Sequence, residues 1–288
     1  MVYLTKENWN NLILSKLENE ESFKNEFNEL FKIYNAVHLF VRKIYSKPVE
    51  QQNILNAVLI IFHKYRLCSG FSLNKYSSEE LYIILGSILF IGQKAINILK
   101  IKIDNISFFI KQLINKKNPT INVDINDLNK QLIEKEYDIL TTIGFNIEID
   151  SPFLFFYKLK KYLSKSELNS ANFITLLNYR IKDSFILPLS LYYTPNTIAI
   201  SCVKVLKEKY KLNFINIKEL ISLSEYKIED EDIDQCSSLI KKIETAINEK
   251  KNQKNVVKTE KQEKIEEKNI SPCTNITEVI PSIKMNID

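Results

Sequence analysis

Apolar side chains recur every three or four residues along most of the chain, which is the pattern of amphipathic helices. The segment from about Ser22 to Ile44 places one set on a single face: Phe27, Leu30, Phe31, Tyr34, Val37 and Val41. The next segment, about 50–67, contains the run ILNAVLIIFHKY and is apolar on several sides. A helix of that kind is predicted to be central and buried. The pattern as a whole predicts an all-α fold.

The predicted helices fall into two series of five, after a short helix that begins near Thr5. In the first series, Ser77-Ser78-Glu79-Glu80 resembles an N-cap with an acidic first turn, and Gly144 is the predicted C-cap of the last helix. That last helix includes the charged stretch IEKEYDI, because Ile133, Tyr137 and Leu140 keep helical spacing. The first series covers about 22–44, 50–67, 78–95, 104–116 and 124–142, and the second about 151–164, 168–192, 195–210, 215–223 and 230–249.

Thr194-Pro195 interrupts the apolar run LSLYYTPNTIAISCV. Proline is excluded from a helix interior but is favoured at the first helical position, after a threonine N-cap. One buried helix is therefore predicted to end near Tyr193 and the next to begin at Pro195. This helix and the one opened by Ser78 hold the same place in their series, and Lys94 matches Glu208, 114 residues later. Two tandem five-helix domains, 22–149 and 150–249, are predicted after an N-terminal helix within 1–21.

Composition supports this organisation. Four glycines and seven prolines among 288 residues suit helices with short connections, because sheets and phosphate-binding loops need more glycine. The formal charge of +5 is mild and acids alternate with lysines, which favours solvated helix faces over nucleic-acid binding. No apolar run approaches ~20 residues and no signal-peptide pattern opens the chain, so we expect a soluble intracellular protein. Residues 250–288 lack aromatic side chains and predict a disordered Lys/Glu-rich tail.

No group of residues indicates catalysis, a cofactor or a metal. The only histidines, His38 and His63, lie within helical apolar patterns and are interpreted as packed or half-exposed side chains. The four cysteines lack the spacing of zinc ligands, and no phosphate loop or nucleophile motif occurs. The chain is therefore expected to act by binding, not as an enzyme.

Several segments, in order, resemble the cyclin family. IIFHKYRLCSGFSLNKY (60–76) resembles "YFHRFYMxxSFxxF", and FIGQKA (90–95) is similar to "FLAAKVE". IEKEYDILTTIGFNIEIDSPFLF (133–155) resembles "VLExxILQTLGFDLxIxHPHxF", and KDSFILPLSLYYTPNTIAISCV (182–203) resembles "NDSLxTxLxLQYxPxxIAxACI". YLTKENW at the start is similar to the "WYFTREQL" opening of cyclins K and T. The two predicted domains are therefore interpreted as two cyclin boxes.

The resemblance implies a cyclin-dependent protein kinase as partner, bound through the third and fifth helices of the first box. Lys94 and Glu136 match the family lysine and glutamate that satisfy backbone groups of the kinase. Their apolar neighbours would form the buried centre of the contact: Ile91, Ala95, Leu140 and Phe145. Without the resemblance, Lys94 could simply neutralise a helix dipole, and Glu136 could be a solvated flank. Trp9 either anchors the N-terminal helix to its own domain or contacts the kinase.

The resemblance is closest to transcriptional cyclins, with K/T/L-like features and a cyclin H-like segment at LYYTPNTIA. It implies an activating, non-catalytic subunit of a kinase that phosphorylates the RNA polymerase II C-terminal repeats in the nucleus. No nucleic acid, membrane or small-molecule substrate is expected. Two alternatives stay open: a IIB-like general transcription factor that binds promoter DNA, and a helical scaffold with a partner other than a kinase. Ser271-Pro272 has the minimal form of a proline-directed phosphorylation site.

Overall fold

The computed structural model describes residues 5–98, 101–120, 122–163, 170–212 and 215–269. Within these ranges the chain is helical and contains no strand. A π-helical turn, Asn10–Leu14, joins the first two short helices, and two 3-10 turns lie at Leu73–Lys75 and Leu189–Leu191. The helices are α1 Lys6–Trp9, α2 Ser15–Glu18, α3 Glu20–Ile44, α4 Pro48–Ser69, α5 Ser78–Ala95, α6 Ile103–Lys117, α7 Ile125–Thr142, α8 Pro152–Leu163, α9 Ser170–Ser184, α10 Pro195–Tyr210, α11 Ile217–Ser222 and α12 Asp230–Asn269.

Helix α5 is the centre of the first group of helices, α3–α7, and packs against α4, α6 and α7. Its start is fixed by a capping box, in which the Ser77 hydroxyl accepts from the Glu80 amide and the Glu80 carboxylate accepts from the Ser77 amide. Gly86 permits a close approach, since an added Cβ would lie 2.8 Å from Ile110 Cδ1 and 3.0 Å from Leu132 Cδ2. The Ser87 hydroxyl donates to the Leu132 carbonyl of α7 at 2.9 Å. These contacts lock α5 against α6 and α7.

Helix α10 holds the matching place in the second group and packs against α8, α9 and α11. Thr194 is its N-cap, as the sequence predicts: the hydroxyl accepts from the Thr197 amide at 3.2 Å, and Pro195 occupies the first turn. Ser201 donates to the Ile233 carbonyl of α12 at 3.2 Å, as Ser87 does to α7 in the first group. The domain boundary at 149/150 falls between α7 and α8 and stays a prediction.

The ninth helix ends well before its predicted boundary. The helix expected at 168–192 ends at Ser184, and the chain continues through turns into Leu189–Leu191 before Thr194. Pro188 explains the early end, because proline lacks the amide proton that a helix interior requires and disfavours helical geometry in the residue before it.

Three polar side chains of α4 contact the second group or the connection that leads to it, within the compact unit Met1–Ala246. His63 Nε2 lies 2.9 Å from the Phe185 carbonyl, and Asn56 Nδ2 donates to the Ser151 hydroxyl at 3.4 Å. Lys64 Nζ donates to the backbone carbonyls of Asn146 and Glu148, at 3.2 and 2.8 Å. Helix α4 therefore fixes the connection between the groups as well as the first core.

The N-terminal segment is anchored by residues distant in sequence. The Trp9 ring is fully buried, stacks on Tyr192 with 5.1 Å between ring centroids and meets the Tyr193 ring edge-on at 5.5 Å. Lys242 of α12 donates to the Leu17 carbonyl at 2.8 Å, near the end of α2. A cation at a helix C-terminus satisfies orphan carbonyls and complements the dipole.

The second compact unit, Ile247–Asp288, contains the last part of α12, which continues to Asn269. The sequence-based expectation placed the start of a disordered tail at 250, so residues 250–269 differ from it. Lysine, glutamate and glutamine favour helix, and this stretch contains neither glycine nor proline. The remainder of the predicted tail, 270–288, lies outside the described residues. Of the helices described, none has the length and apolar content needed to cross a membrane.

Candidate functional site

Lys94 and Glu136 form an ion pair between α5 and α7. Lys94 Nζ, in the last turn of α5, lies 2.6 Å from Glu136 Oε1 in the middle of α7. The Glu136 side chain is only 11% exposed, whereas that of Lys94 is 41% exposed and also lies over the Phe90 ring, 4.1 Å from its centroid. The structure thus brings together the two residues that the resemblance selected, although 42 residues separate them. In the free chain, the Lys94 ammonium and the Glu136 carboxylate therefore neutralise each other.

An apolar surface lies on the same helix as Glu136. Ile133, Tyr137 and Phe145 are 55%, 66% and 60% exposed, and Leu140 is half-buried. Positions 133, 137 and 140 share one helical face, and Phe145 follows just after the end of α7. Large apolar side chains exposed together mark surfaces that bind other molecules. We call Ile133, Tyr137, Leu140 and Phe145 the α7 patch.

Ile133 and Tyr137 were interpreted from the sequence as helix-spacing residues, not as part of the site. The core stripe of α7 is a different set: Leu128, Leu132, Glu136 and Ile139 are buried. Ile133, Tyr137 and Leu140 therefore form a second apolar stripe on the same helix. A helix needs only one apolar stripe to pack against its own core. The second stripe is therefore the sequence signal that would have identified Ile133 and Tyr137 as surface residues.

The loop after α7 presents Phe145 in a fixed position. Gly144 and Phe145 both have left-handed backbones, with φ of +60° and +56°, and the Phe145 amide donates to the Leu140 carbonyl at 2.7 Å. A bulky residue in that region is uncommon and costs conformational energy. The Lys64 ammonium holds the following residues through the Asn146 and Glu148 carbonyls. The exposed ring is therefore not on a loose loop.

The other predicted contact residues lie at different depths. Ala95 is half-buried at the end of α5. Ile91 is 1% exposed, so in this conformation it belongs to the core beneath the surface. Trp9 is also buried, which is the arrangement expected if it anchors the N-terminal segment to its own chain. Ser271 lies outside the described residues.

The two histidines are packed to the degrees that the sequence indicates. His63 is buried, and burial lowers its pKa to about 4. Its Nε2 must therefore carry the proton that is donated to the Phe185 carbonyl. His38 is half-buried, and burial lowers its pKa as well. In the described part of the chain, no three side chains of His, Cys, Asp or Glu converge as metal ligands.

Comparison with known proteins agrees with the fold. No protein-family model matches the sequence, and no curated protein matches it significantly. Among solved structures, a chain in the crystal structure of the yeast RNA Pol II CTD kinase CTDK-1 complex is similar, with a TM-score of 0.60 and 16% sequence identity. The match covers 83% of this chain and 72% of that one. Together with the helix order, it shows an all-α, cyclin-like fold.

Proposed function

We propose that this chain is the regulatory, non-catalytic subunit of a cyclin-dependent protein kinase and binds it through α5 and the α7 patch. The observation that carries the proposal is the exposed α7 patch beside the Lys94–Glu136 pair, both on helices locked into one core. The cyclin-like fold and the sequence resemblance support a kinase as the partner. An interface of standard size, ~1,600 Å², would cover this surface.

The chemistry of the pair suits a backbone ligand. An ammonium group only donates and a carboxylate only accepts, so together they can satisfy a carbonyl and an amide of a docked segment. Because they already neutralise each other, the free protein does not leave the poorly exposed Glu136 charge uncompensated. The α7 patch would supply the desolvated, apolar centre that strong interfaces need.

Activation follows from selective binding. A kinase without its regulatory subunit lacks the aligned lysine–glutamate pair that positions ATP, because its C-helix is displaced. A rigid surface that binds only the aligned form shifts the equilibrium by its differential affinity. Moving the balance from 1:99 to 99:1 requires ~5.5 kcal/mol of differential binding. The packed α5–α7 frame supplies the rigidity that such a template needs.

The finer proposal is that the bound kinase phosphorylates the RNA polymerase II C-terminal repeats in the nucleus. It is supported by the resemblance to transcriptional cyclins and by the fold shared with a chain of an RNA Pol II CTD kinase complex.

Reconstitution of the complex tests both the binding of a kinase and the phosphorylation of the polymerase repeats. The purified chain is mixed with individual cyclin-dependent kinase catalytic subunits, and complex formation and phosphate transfer to a synthetic C-terminal-repeat peptide are measured. We expect one subunit to form a stable 1:1 complex and to gain at least about 100-fold in activity, as expected for a strong population shift. Failure to bind any kinase would contradict the proposal. Activation without transfer to the repeats would contradict only the finer part.

A further inference from the structure

Helix α5 ends, directly after Lys94, in a Schellman motif. The Ile98 amide donates to the Gln93 carbonyl at 2.9 Å. The Asn97 amide donates to the Lys94 carbonyl at 3.1 Å, and Asn97 has the left-handed backbone that this motif uses, with φ of +55°. Residues 96–98, which we call the α5 turn, therefore continue the proposed kinase-binding surface in one defined shape.

The Gln93 side chain, which is fully buried, holds the chain that follows the α5 turn. Its Nε2 donates to the Ile101 carbonyl at 2.8 Å, and its Oε1 accepts from the Ile101 amide at 3.4 Å. The Oε1 also accepts from the Tyr45 hydroxyl at 3.1 Å, and burial raises the pKa of Tyr45 to about 12, so the hydroxyl keeps its proton. Gln93 thus holds Ile98 through its backbone and Ile101 through its side chain.

A helix can pack at this position without an amide. The family segment FLAAKVE, to which FIGQKA is similar, has alanine in the place of Gln93. Burying an amide is unfavourable unless hydrogen bonds compensate for the lost water. The side-chain bonds of Gln93 go to Tyr45, which ends α3, and to Ile101, which lies just before α6. The glutamine therefore serves the connection after α5 and not the packing of the helix.

The α5 turn is largely apolar where it follows Lys94. Ile96 and Ile98 are half-buried, and Asn97 between them is exposed. None of these three side chains is charged, and Lys94 itself is neutralised by Glu136. Partly exposed apolar groups next to a neutralised ion pair form a surface of the kind that is desolvated at the core of an interface, where charged residues are depleted.

We propose that Gln93 is a positioning residue for the kinase contact, and that the α5 turn takes a kinase segment with apolar side chains. The inference rests on the proposed function and specifies the chemistry of the partner at this place. Gln93 is buried and does not reach the kinase, but it keeps Ile96 and Ile98 in place before the kinase arrives. Preorganisation of this kind lowers the ordering cost of binding. A charged kinase residue would lose its hydration at the turn without finding a partner.

The positioning role is tested with Gln93→Met and a matched control in the second group. Q93M leaves the Tyr45 hydroxyl and the Ile101 backbone without their bonds, while the side chain keeps a similar size. The control is Asn196→Leu, because Asn196 is a buried amide of the central helix α10 that also holds a connection, donating to the Ser224 hydroxyl at 2.7 Å. Urea unfolding measures the stability of both variants. Hydrogen exchange reports on the amides of the α5 turn, and titration with the kinase measures affinity where both variants are folded.

We expect both variants to lose stability, but only Q93M to alter the α5 turn. The turn amides of Q93M should exchange at least about tenfold faster, and its kinase affinity should fall at least about tenfold. N196L should change both quantities less than about twofold, since it is remote from the contact. If Q93M does not fold, Tyr45→Phe removes one of the three bonds and should weaken binding about threefold. Unchanged affinity in whichever variant folds, or equal losses of affinity in that variant and N196L, would overturn the positioning role.

The chemistry of the kinase segment is tested at Asn97. Asn97→Asp keeps a residue that tolerates the left-handed backbone and adds one negative charge to the α5 turn. We expect kinase binding to weaken at least about threefold, whereas equal or tighter binding would overturn the apolar partner.

Wild type separates this inference from the proposed function. If wild type binds no kinase, the proposed function fails and the inference fails with it. If wild type binds and activates a kinase but Q93M binds it equally tightly, only the positioning role fails.

Discussion

The two groups of helices share an internal design but differ at one edge. In each, a buried serine of the central helix donates to a carbonyl of the last helix: Ser87 to Leu132 and Ser201 to Ile233. Outside this shared core, the α5–α7 edge presents the apolar α7 patch, whereas the α10–α12 edge is charged. This comparison indicates that the repeated core forms the fold, whereas the proposed binding site depends on the surface of one copy.

Ion pairs cover the second edge. Lys204, Lys209 and Lys241 of α10 and α12 each pair with an acid on the other helix, and Lys241 lies 2.5 Å from Glu208. Of the large apolar side chains described on α10 and α12, only Tyr210 is exposed. Exposed ion pairs contribute little to stability but keep a surface hydrated. An edge of this kind is unsuited to a desolvated interface.

The largest expected effect comes from placing charge on the α7 patch. I133D/Y137D alters two exposed side chains, so the fold should persist while kinase affinity falls by more than about 100-fold, or about 3 kcal/mol. Tyr210→Asp, the matched change on the other edge, should leave affinity unchanged. Titration calorimetry with the activated kinase measures both. If both variants lowered kinase affinity equally, the two edges would not differ in function.

Removing one lysine from each edge sharpens the comparison. Lys94→Met leaves Glu136 poorly solvated without its cation, and we expect kinase affinity to fall by roughly 30-fold, about 2 kcal/mol. Lys241→Met breaks an exposed pair with Glu208 and should change stability by less than about 1 kcal/mol, with no effect on affinity. Titration with the kinase measures the affinity of both variants, and urea unfolding measures their stability. A Lys94→Met protein that binds as tightly as wild type would place the contact elsewhere.

The coupling between the groups should depend on pH through His63. Its folded pKa of about 4 lies below the ordinary 6.5, so the unfolded chain binds more protons between these values, and stability falls as pH falls. The loss from pH 7 to pH 5 should be about 2 kcal/mol. His63→Gln can keep a donor to the Phe185 carbonyl without titrating. Urea unfolding that depends on pH equally in wild type and variant would rule out this role.

The smallest effect tests the shared core itself. Ser87→Ala and Ser201→Ala each remove a buried hydroxyl that donates to a carbonyl, at a cost of about 1 kcal/mol. Chemical unfolding measures the free energy of unfolding of both variants. Similar losses of stability, with unchanged kinase affinity, would show that the two groups have equivalent cores and differ in their surfaces. A difference above about 2 kcal/mol would mean that the two serines are not equivalent.

Local chemistry made much of the fold predictable. Ser77 and Thr194 act as N-caps because their hydroxyls lie within reach of amides three residues ahead, which needs no tertiary information. The premature end of α9 followed from Pro188, a signal that was present in the sequence but was outweighed by the apolar run around it. Helix spacing gives the faces of a helix but not which face another element covers.

The site was predictable only in part for the same reason. Lys94 and Glu136 were selected through the family resemblance, since their spacing of 42 residues carries no local signal. The exposure of Ile133 and Tyr137 depends on what packs across α7, so their pattern alone is compatible with core or surface.

The anchoring of the N-terminal segment has a consequence for the order of events during synthesis. Trp9 requires Tyr192 and Tyr193, and the Leu17 carbonyl requires Lys242, 225 residues later. A ribosome must therefore have made the chain as far as Lys242 before both contacts can form, and contacts between residues so distant in sequence form slowly. Trp9 is the only tryptophan, so its fluorescence reports directly on the docking of this segment.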